Sequence, residues 1–354
     1  MTRPIHVAIL GASGYGAGEL LRLCTQHPAV EVVSLTSTGH AGQSLESVHP
    51  HLRGFFDLRL SEAIDFERLL DAEHAVIFSA LPHGVSAPAI DRLLSECERD
   101  GRAERLRVID LSGDLRLVDI EKHREHYPES PVLPERRRGF VYGLPELFRE
   151  EVRAARCVAN PGCFASASIL AVAPLATADF SGTLAIDAKT GSSGSGRQLK
   201  DAVHHPTRHA NFRAYKPLKH QHEPEILQAL GDPRGQRIKT SFVAQSMDTT
   251  RGIFVTIHLT LPEPADTATI HKRYTDFYAD SPFVRVVEDS PELQNVVGSN
   301  FCDVAAACRD RQVIAMAALD NLVKGMAGTA LQNMNLMCGL TETTGLWTPS
   351  LRPV

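Results

Sequence analysis

Cys163 is the residue of this chain whose surroundings best suit covalent chemistry. Pro161 and Gly162 predict a turn just before it, and the small and apolar residues 164–171 predict a helix that begins at the cysteine. A thiolate at a helix start is stabilised by unpaired N–H groups and by the helix dipole. The ordinary role of a cysteine is that of a small buried hydrophobe, which is the alternative here. The turn, the helix start and the small neighbours favour a nucleophile.

A reactive thiol needs a proton partner, and the segment 203–226 supplies histidines. His220 and His222 lie two residues apart, so on an extended segment they would share a face. Metal binding is the rival interpretation, but no H-E-x-x-H sequence or cysteine pair accompanies them, and we expect no metal. The histidines of the segment are His204, His205, His209, His220 and His222.

Basic residues in and beside this segment could hold a phosphate and a carboxylate. The alternative is a solvated cationic loop. The residues are Arg197, Lys200, Arg208, Arg213, Lys216 and Lys219.

The stretch GASGYGAG, residues 11–18, follows the first predicted strand and opens the first predicted helix. Glycines there allow a tight turn and a close approach of the backbone to a pyrophosphate, which the helix N-terminus also attracts. A structural strand–helix turn is the alternative. The position near the start of a βαβ pattern favours a dinucleotide site.

The end of the second predicted strand reads LTSTGH and carries no acidic residue. An NAD site usually has a carboxylate there for the ribose 2′-hydroxyl. Ser37 and Thr38 could instead bind a 2′-phosphate, so we expect NADP, although a polar loop without preference is the alternative. The segment ALPHG at 80–84 follows another strand, and is either a cofactor contact or a helix-capping turn.

Strands and helices alternate over residues 6–160, which predicts a Rossmann-like, doubly wound parallel sheet. The following part is richer in strands, and we expect an α+β domain with a mixed or antiparallel sheet. Within its last strand segment, 302–320, the residues RDR predict a hairpin turn, and a helix is predicted over 321–339. The expected domains are 1–160, completed by a C-terminal helix of about 321–354, and 161–320.

Composition excludes several classes of protein. The net charge of −5 over 354 residues gives no general attraction to nucleic acid or an anionic membrane. No apolar run is long enough to span a bilayer or to serve as a signal peptide, so we expect a cytoplasmic protein. Seven cysteines without a C-x-x-C pair argue against disulfides and structural zinc.

Several segments together resemble the N-acetyl-gamma-glutamyl-phosphate reductase family over nearly the whole chain. They are GASGYGAGEL at 11–20, LPHG at 81–84, DLSGDLRL at 110–117, YGLPEL at 142–147, NPGCFASA at 160–167, GSSGSGR at 191–197, HQHEPEI at 220–226, RGI at 251–253 and DNLVKGMAGTALQNMN at 320–335. One departure is Gln221, which stands where the family more usually has arginine.

The resemblance implies a semialdehyde-dehydrogenase-like fold and NADPH-dependent reduction of an acyl phosphate to a semialdehyde and phosphate. Cys163 would form a thioester, His220 or His222 would act as acid and base, and Asn160 would help the Cys163 N–H to bind the oxyanion. The last helix would pack on the nucleotide domain, and the chain would form a homo-oligomer, a dimer or a tetramer. Expected cofactor contacts are Gly11, Ser13, Gly14, Tyr15, Gly16, Ser37, Thr38, Leu81, Pro82, Ser193, Gly194 and Asn321. Expected substrate contacts are Arg116, Arg197, His205, Arg208 and Lys216.

Three alternatives remain open at this point. The chain is also similar to reductases of lysine biosynthesis, whose aminoadipyl phosphate is carried on a small acidic protein. Aspartate-semialdehyde dehydrogenases share the fold and chemistry, but the HQHEPEI and DNLVKG segments match them less well. A cofactor-binding regulatory module without catalysis is the alternative from another class of protein.

Overall fold

The computed structural model describes residues 4–176 and 180–353, which form two units. The first unit runs to Pro161 and resumes over Met326–Trp347, and the second contains Gly162–Gly325 and the residues from Thr348 onward. The expected assignment of 321–354 to the first domain differs from this division at both ends. Shortly before the chain returns to the first unit at Met326, the Asp320 carboxylate accepts hydrogen bonds from the N–H groups of Gly298 and Leu322. These bonds hold residues 320–322 in the second unit.

The first unit is built on a six-stranded parallel sheet with the order β2-β1-β3-β4-β6-β5. From β1 the chain passes to β2 on one side and to β3 on the other, so the carboxyl ends of β1 and β3 flank the point where a doubly wound sheet binds its ligand. The strands are β1 Ile5–Leu10, β2 Val30–Thr36, β3 His74–Ser79, β4 Leu106–Asp110, β5 Phe140–Tyr142 and β6 Cys157–Ala159.

The second unit contains a six-stranded mixed sheet with the order β11-β12-β10-β7-β9-β8. Strands β10 and β12, and β10 and β7, pair antiparallel, whereas β7 and β9 pair parallel. The expected pair of a doubly wound sheet and a mixed sheet is therefore confirmed. The strands are β7 Gly182–Thr190, β8 Arg213–Tyr215, β9 Ile238–Ser246, β10 Ile253–Asp266, β11 Val284–Val286 and β12 Cys302–Leu319.

The helices of the described residues cover the first sheet and one face of the second. Alternating burial along β10 leaves the other face of the second sheet partly exposed. The α-helices are α1 Tyr15–Cys24, α2 Leu45–Val48, α3 Phe66–Leu69, α4 Ser86–Arg99, α5 Ile120–His126, α6 Pro134–Arg138, α7 Pro145–Ala154, α8 Cys163–Val172, α9 His205–Arg208, α10 Glu223–Ala229, α11 Thr267–Phe277 and α12 Gly328–Met337.

The hairpin predicted at RDR is wrong, because β12 continues through these residues as one strand. Asp310 has a φ of 57°, and the pairing with β10 shifts there, with Thr260 opposite Gln312 but Ala265 opposite Asp310. Residues 261–264 of β10 therefore stand opposite the single residue Arg311 of β12. The extra residues make a bulge in β10, and β12 continues through RDR without reversing.

The helix predicted at 321–339 exists but starts with a π-helical turn, Val323–Ala327, before α12. Helix α12 packs on α1, α7 and β4 in the first unit. Its polar side chains bind neighbouring segments: the amide of Asn333 donates to the Gly143 carbonyl and that of Asn335 to the Thr344 carbonyl. The last helix thus belongs to the nucleotide-domain half of the chain.

Within residues 4–176 and 180–353, no helix is both long enough and apolar enough to traverse a lipid bilayer.

Candidate active site

Cys163 is the first residue of α8, and its side chain is half-buried. Gly162 precedes it in an extended conformation, so the chain turns directly into the helix at the sulfur. Gly325 packs against the cysteine: a Cβ built on this glycine would lie 2.7 Å from the Cys163 Cβ. The thiol therefore stands at a helix N-terminus, next to a residue that must be glycine for the two backbones to come so close.

His222 packs on the residue before the cysteine. A Cβ built on Gly162 would lie 2.3 Å from the His222 Nε2 atom, so no side chain at position 162 fits without moving the ring. The Glu225 carboxylate is fully buried and accepts the Gly162 N–H hydrogen bond at 2.9 Å. Its other oxygen lies 4.0 Å from His222 Nε2. Glu225 thus connects the turn before Cys163 to the histidine.

His220 occupies a different environment from His222. Its ring lies in an aromatic cluster with Phe164, Phe242 and Tyr215. The His222 backbone N–H donates to His220 Nδ1 at 3.2 Å. A backbone N–H only donates, so this contact leaves the proton of a neutral His220 ring on Nε2. The two rings are 4.7 Å apart, but the chain turns between them and they do not share the face of an extended segment.

Tyr215 is a neighbour of the cysteine that sequence reasoning missed. Burial raises the pKa of its hydroxyl, and the negative charge of the Cys163 thiolate raises the pKa further. The phenol therefore keeps its proton and remains a hydrogen-bond donor at neutral pH. Glu225 and Gly325 were missed as well. The spacing of Glu225 three residues after His222 was a signal, because residues so spaced meet where a helix begins.

Asn160 and Arg116 lie in the first unit and bind its backbone. The Asn160 amide nitrogen donates to the Met326 carbonyl at 3.1 Å, and its oxygen accepts from Asn333. The buried Arg116 guanidinium donates to the carbonyls of Asn160 and Leu111 at 2.7 and 2.9 Å. Arg116 therefore braces the chain immediately before the Pro161–Gly162 turn.

The remaining predicted substrate contacts divide into one buried and three exposed side chains. Arg208 is buried, and its guanidinium binds Ser246 Oγ and the carbonyls of Met247 and Thr249. Burial lowers its pKa. Arg197, His205 and Lys216 are exposed, and Lys216 Nζ donates to Gln221 Oε1 at 2.9 Å.

The glycine-rich turn of the first unit has the geometry of a dinucleotide loop. Gly11 has a φ of 76°, and a Cβ there would lie 2.9 Å from the Ala80 carbonyl oxygen. At Gly14, which precedes α1, no atom lies within 4 Å of a Cβ position, so the backbone is open to a ligand. The Ser37 hydroxyl bonds to that of Ser13 at 3.3 Å and ties the end of β2 to the loop. These residues fit a bound nicotinamide dinucleotide.

The other predicted cofactor contacts of the first unit surround this turn. Tyr15 and Thr38 are exposed, Leu81 is half-buried and Pro82 is exposed. A Cβ on Gly16 would lie 2.3 Å from the Met326 Sδ atom, so this glycine accommodates the chain before α12. After Pro82 the Asp114 carboxylate caps the start of α4, since it accepts the N–H of Gly84 at 2.9 Å and that of Ala87 at 3.0 Å.

In the second unit the structure brings Ser193, Gly194 and Asn321 together. The Asn321 amide donates to Ser193 Oγ at 2.9 Å and accepts the Gly252 N–H at 2.8 Å. A Cβ on Gly194 would lie 3.8 Å from the same amide nitrogen.

All seven cysteines are free, and the described part of the chain holds no cluster of three side chains arranged to bind a metal.

Comparison with known proteins defines the class first. Residues 6–155 match the family model of the semialdehyde dehydrogenase NAD binding domain, and residues 163–321 match that of the semialdehyde dehydrogenase dimerisation domain. The fold agrees: aspartate semialdehyde dehydrogenase II of Vibrio cholerae, solved with ASA, superposes with a TM-score of 0.71 at 15% identity, covering 96% of this chain and 99% of that one. The chain is built as a semialdehyde dehydrogenase.

Curated relatives then define the family. The chain is 40% identical to the N-acetyl-gamma-glutamyl-phosphate reductase of Pelotomaculum thermopropionicum over 99% of both chains. It is also 40% identical to a putative [LysW]-L-2-aminoadipate/[LysW]-L-glutamate phosphate reductase of Cenarchaeum symbiosum, over 99% of this chain and 100% of that one. The chain belongs to the family of the N-acetyl-gamma-glutamyl-phosphate reductases.

Proposed function

We propose that this protein reduces N-acetyl-gamma-glutamyl phosphate to N-acetylglutamate 5-semialdehyde and phosphate, with NADPH as the hydride donor and a thioester on Cys163. The observation that carries the proposal is the arrangement of Cys163 at the start of α8 with His222 and Glu225 on Gly162. The choice of substrate is supported by the relative from Pelotomaculum thermopropionicum, which is an N-acetyl-gamma-glutamyl-phosphate reductase.

The chain's own groups would act in sequence on the acyl phosphate. The Cys163 thiolate attacks the carbonyl carbon, the carbon–oxygen bond to phosphate breaks, and phosphate leaves with the electron pair. NADPH, when bound, would supply the hydride that reduces the thioester carbon. His222 gives a proton to the resulting oxyanion and removes it again as the carbon–sulfur bond breaks, releasing the aldehyde and the thiolate.

His222 is preferred over His220 as the acid and base. The ring of His222 touches Gly162, next in sequence to the cysteine, whereas that of His220 is held among aromatic side chains. Glu225 would orient His222 and the turn without touching substrate. The Cys163 N–H would bind the oxyanion, while Asn160, whose amide is bound to Met326, would act by holding the preceding turn.

NADP is proposed rather than NAD, because β2 ends at Thr36 and the residues after it carry no carboxylate. A hydrogen bond from Ser37 or Thr38 to the charged 2′-phosphate is worth on the order of 1.5–3 kcal/mol. The kcat/KM should therefore favour NADPH by about tenfold or more. Equal use of NADH would contradict this choice.

The free acetylated substrate is favoured over a carrier-linked one. Arg208 binds the backbone of its own unit, which leaves fewer cations to extend a docking surface, and the net charge of −5 gives no long-range attraction to an acidic carrier. The exposed cations Arg197, Arg213, Lys216 and Lys219 support the carrier-linked alternative.

The test is turnover in the reverse direction with NADP and phosphate, comparing N-acetylglutamate 5-semialdehyde with carrier-linked aminoadipate semialdehyde at low and high salt. Turnover of the free compound is expected. Turnover of the carrier-linked compound alone, with a rate that falls steeply with salt, would contradict the proposed substrate. Absence of turnover with both would favour a regulatory module.

We also infer that copies of the chain associate through the second unit. The support is the dimerisation-domain match and the partly exposed face of its sheet, where Thr183, His258 and Ile314 line one surface. Light scattering on the purified protein measures the number of copies.

A further inference from the structure

His49 is a buried histidine that neither the family match nor the proposed mechanism uses. It is the residue after α2, and only 5% of its surface is exposed. Its ring lies between two parts of the glycine-rich stretch 11–18. The Nε2 atom is 2.8 Å from the Ala12 carbonyl oxygen, and the Cε1 and Nδ1 atoms are each 2.8 Å from the Cβ position of Gly18.

The hydrogen bond to Ala12 fixes one peptide plane of the turn. A carbonyl only accepts, so Nε2 of His49 carries the proton and donates it. The Ala12 N–H is itself held by the Thr36 carbonyl at 2.8 Å. In a trans peptide the N–H of Ser13 points opposite to the Ala12 carbonyl. His49 therefore directs the Ser13 N–H away from the protein interior.

Gly18 leaves the room that this ring needs. A Cβ atom at position 18 would lie closer to the imidazole than van der Waals contact allows. Because the imidazole is buried, it has little room to move away. Gly18 also lies in the middle of α1, where alanine would be the better helix former. The last glycine of the motif is thus explained by the histidine and not by a need for flexibility.

We propose that His49 is a positioning residue for the dinucleotide: it holds the Ala12–Ser13 peptide so that the turn presents its N–H groups to the pyrophosphate, and Gly18 exists to accommodate it. The inference rests on the proposed NADPH binding of the first unit, and adds a residue outside the glycine motif to that site. Its effect should fall on dinucleotide affinity and not on the chemical step.

A double-mutant cycle tests the coupling, with the Kd for NADPH measured by titration of its fluorescence. His49→Ala and Gly18→Ala should each raise the Kd about tenfold, since each loses one hydrogen bond to the turn. The double variant should be no more than about twofold weaker than His49→Ala, because the three atoms nearest the Gly18 Cβ position all belong to the His49 ring. Losses that multiply would overturn the assignment of Gly18.

His49→Gln provides the rescue, since its amide can still donate to the Ala12 carbonyl. It should bind NADPH within about threefold of the wild type, while kcat at saturating NADPH and the KM for the acyl phosphate stay unchanged in all variants that fold. Arg53→Ala, at an exposed position four residues after His49, is the control and should leave the Kd unchanged.

Two results would overturn the proposal in distinguishable ways. An unchanged Kd in His49→Ala, with normal binding by the wild type, refutes the positioning role and leaves the proposed function intact. A wild-type protein that binds no NADPH refutes both.

Discussion

At the level of single residues, Cys163 differs from the other cysteines in its surroundings. Burial raises the pKa of Cys24 to about 12 and those of Cys157 and Cys338 to about 11. Cys163 stands half-buried at a helix start. We expect Cys163→Ser to lower turnover by about 10³-fold or more with the fold and NADPH binding intact.

Iodoacetamide labelling followed by mass spectrometry checks the same residue. Cys163 should react first and be protected by substrate. Cys308, also half-buried, is the matched comparison, because burial raises its pKa and Cys308→Ser should keep full activity. An active serine variant at 163, or faster labelling of Cys308, would contradict the nucleophile.

The two histidines should separate in kinetics. His222→Asn should lower kcat by about 10²–10⁴-fold, as expected for loss of a general acid and base. His220→Asn retains an oxygen that can accept the His222 N–H, so its kcat should fall by less than about tenfold. Steady-state kinetics on both variants decides, and the reverse order of effects would assign the proton transfer to His220.

At the level of elements, the bulge between β10 and β12 depends on the backbone of Asp310, which lies where the register shifts. Its φ of 57° is strained for most residues with a side chain, and least so for glycine. Asp310→Gly should therefore leave stability unchanged or raise it by up to about 1 kcal/mol, whereas Asp310→Val should lower it by about 1–2 kcal/mol. Urea unfolding measures both. Equal stability of the glycine and valine variants would show that the bulge relaxes in solution.

At the level of the whole molecule, histidines of the first unit couple its stability to pH. Burial lowers the pKa of His27, His74, His123 and His126. The unfolded chain then binds more protons than the folded one below the ordinary histidine pKa of 6.5. The free energy of unfolding should be nearly constant above about pH 7.5 and should fall as the pH drops from about 7.5 to 5.5.

His123, which is fully buried and stacks on Tyr127, isolates one contribution. His123→Phe should make the free energy of unfolding depend less steeply on pH, by at most about 1.4 kcal/mol for each pH unit. The Tm of the variant should accordingly fall less than that of the wild type between about pH 7.5 and 5.5. His204→Gln, at an exposed position, should keep the full dependence. The buried carboxyl of Asp110, whose pKa is raised by burial, acts with the opposite sign, so a wild type that gains stability on acidification would show that carboxyls dominate.

Features that depend on local pattern could be predicted from the amino-acid sequence. Apolar runs and glycines of the first 160 residues are sufficient for a parallel sheet and a turn at residues 11–18, because strand alternation and backbone freedom are set by near neighbours. For the same reason, the Pro161–Gly162 turn and the small residues after it placed Cys163 at a helix start, as the structure has it.

Which polar side chains contact each other could not be predicted, because those contacts form only in the folded protein. Arg116 and Arg208 were predicted as substrate contacts, and in the structure each also donates to backbone carbonyls that folding brings near it. The residues RDR predicted a turn, but hydrogen bonds to β10 on both sides of them keep β12 as one strand. The preference for His222 over His220 depends on the contact of His222 with Gly162, which lies 60 residues earlier in the chain. Such contacts join residues distant in sequence, so no local pattern encodes them.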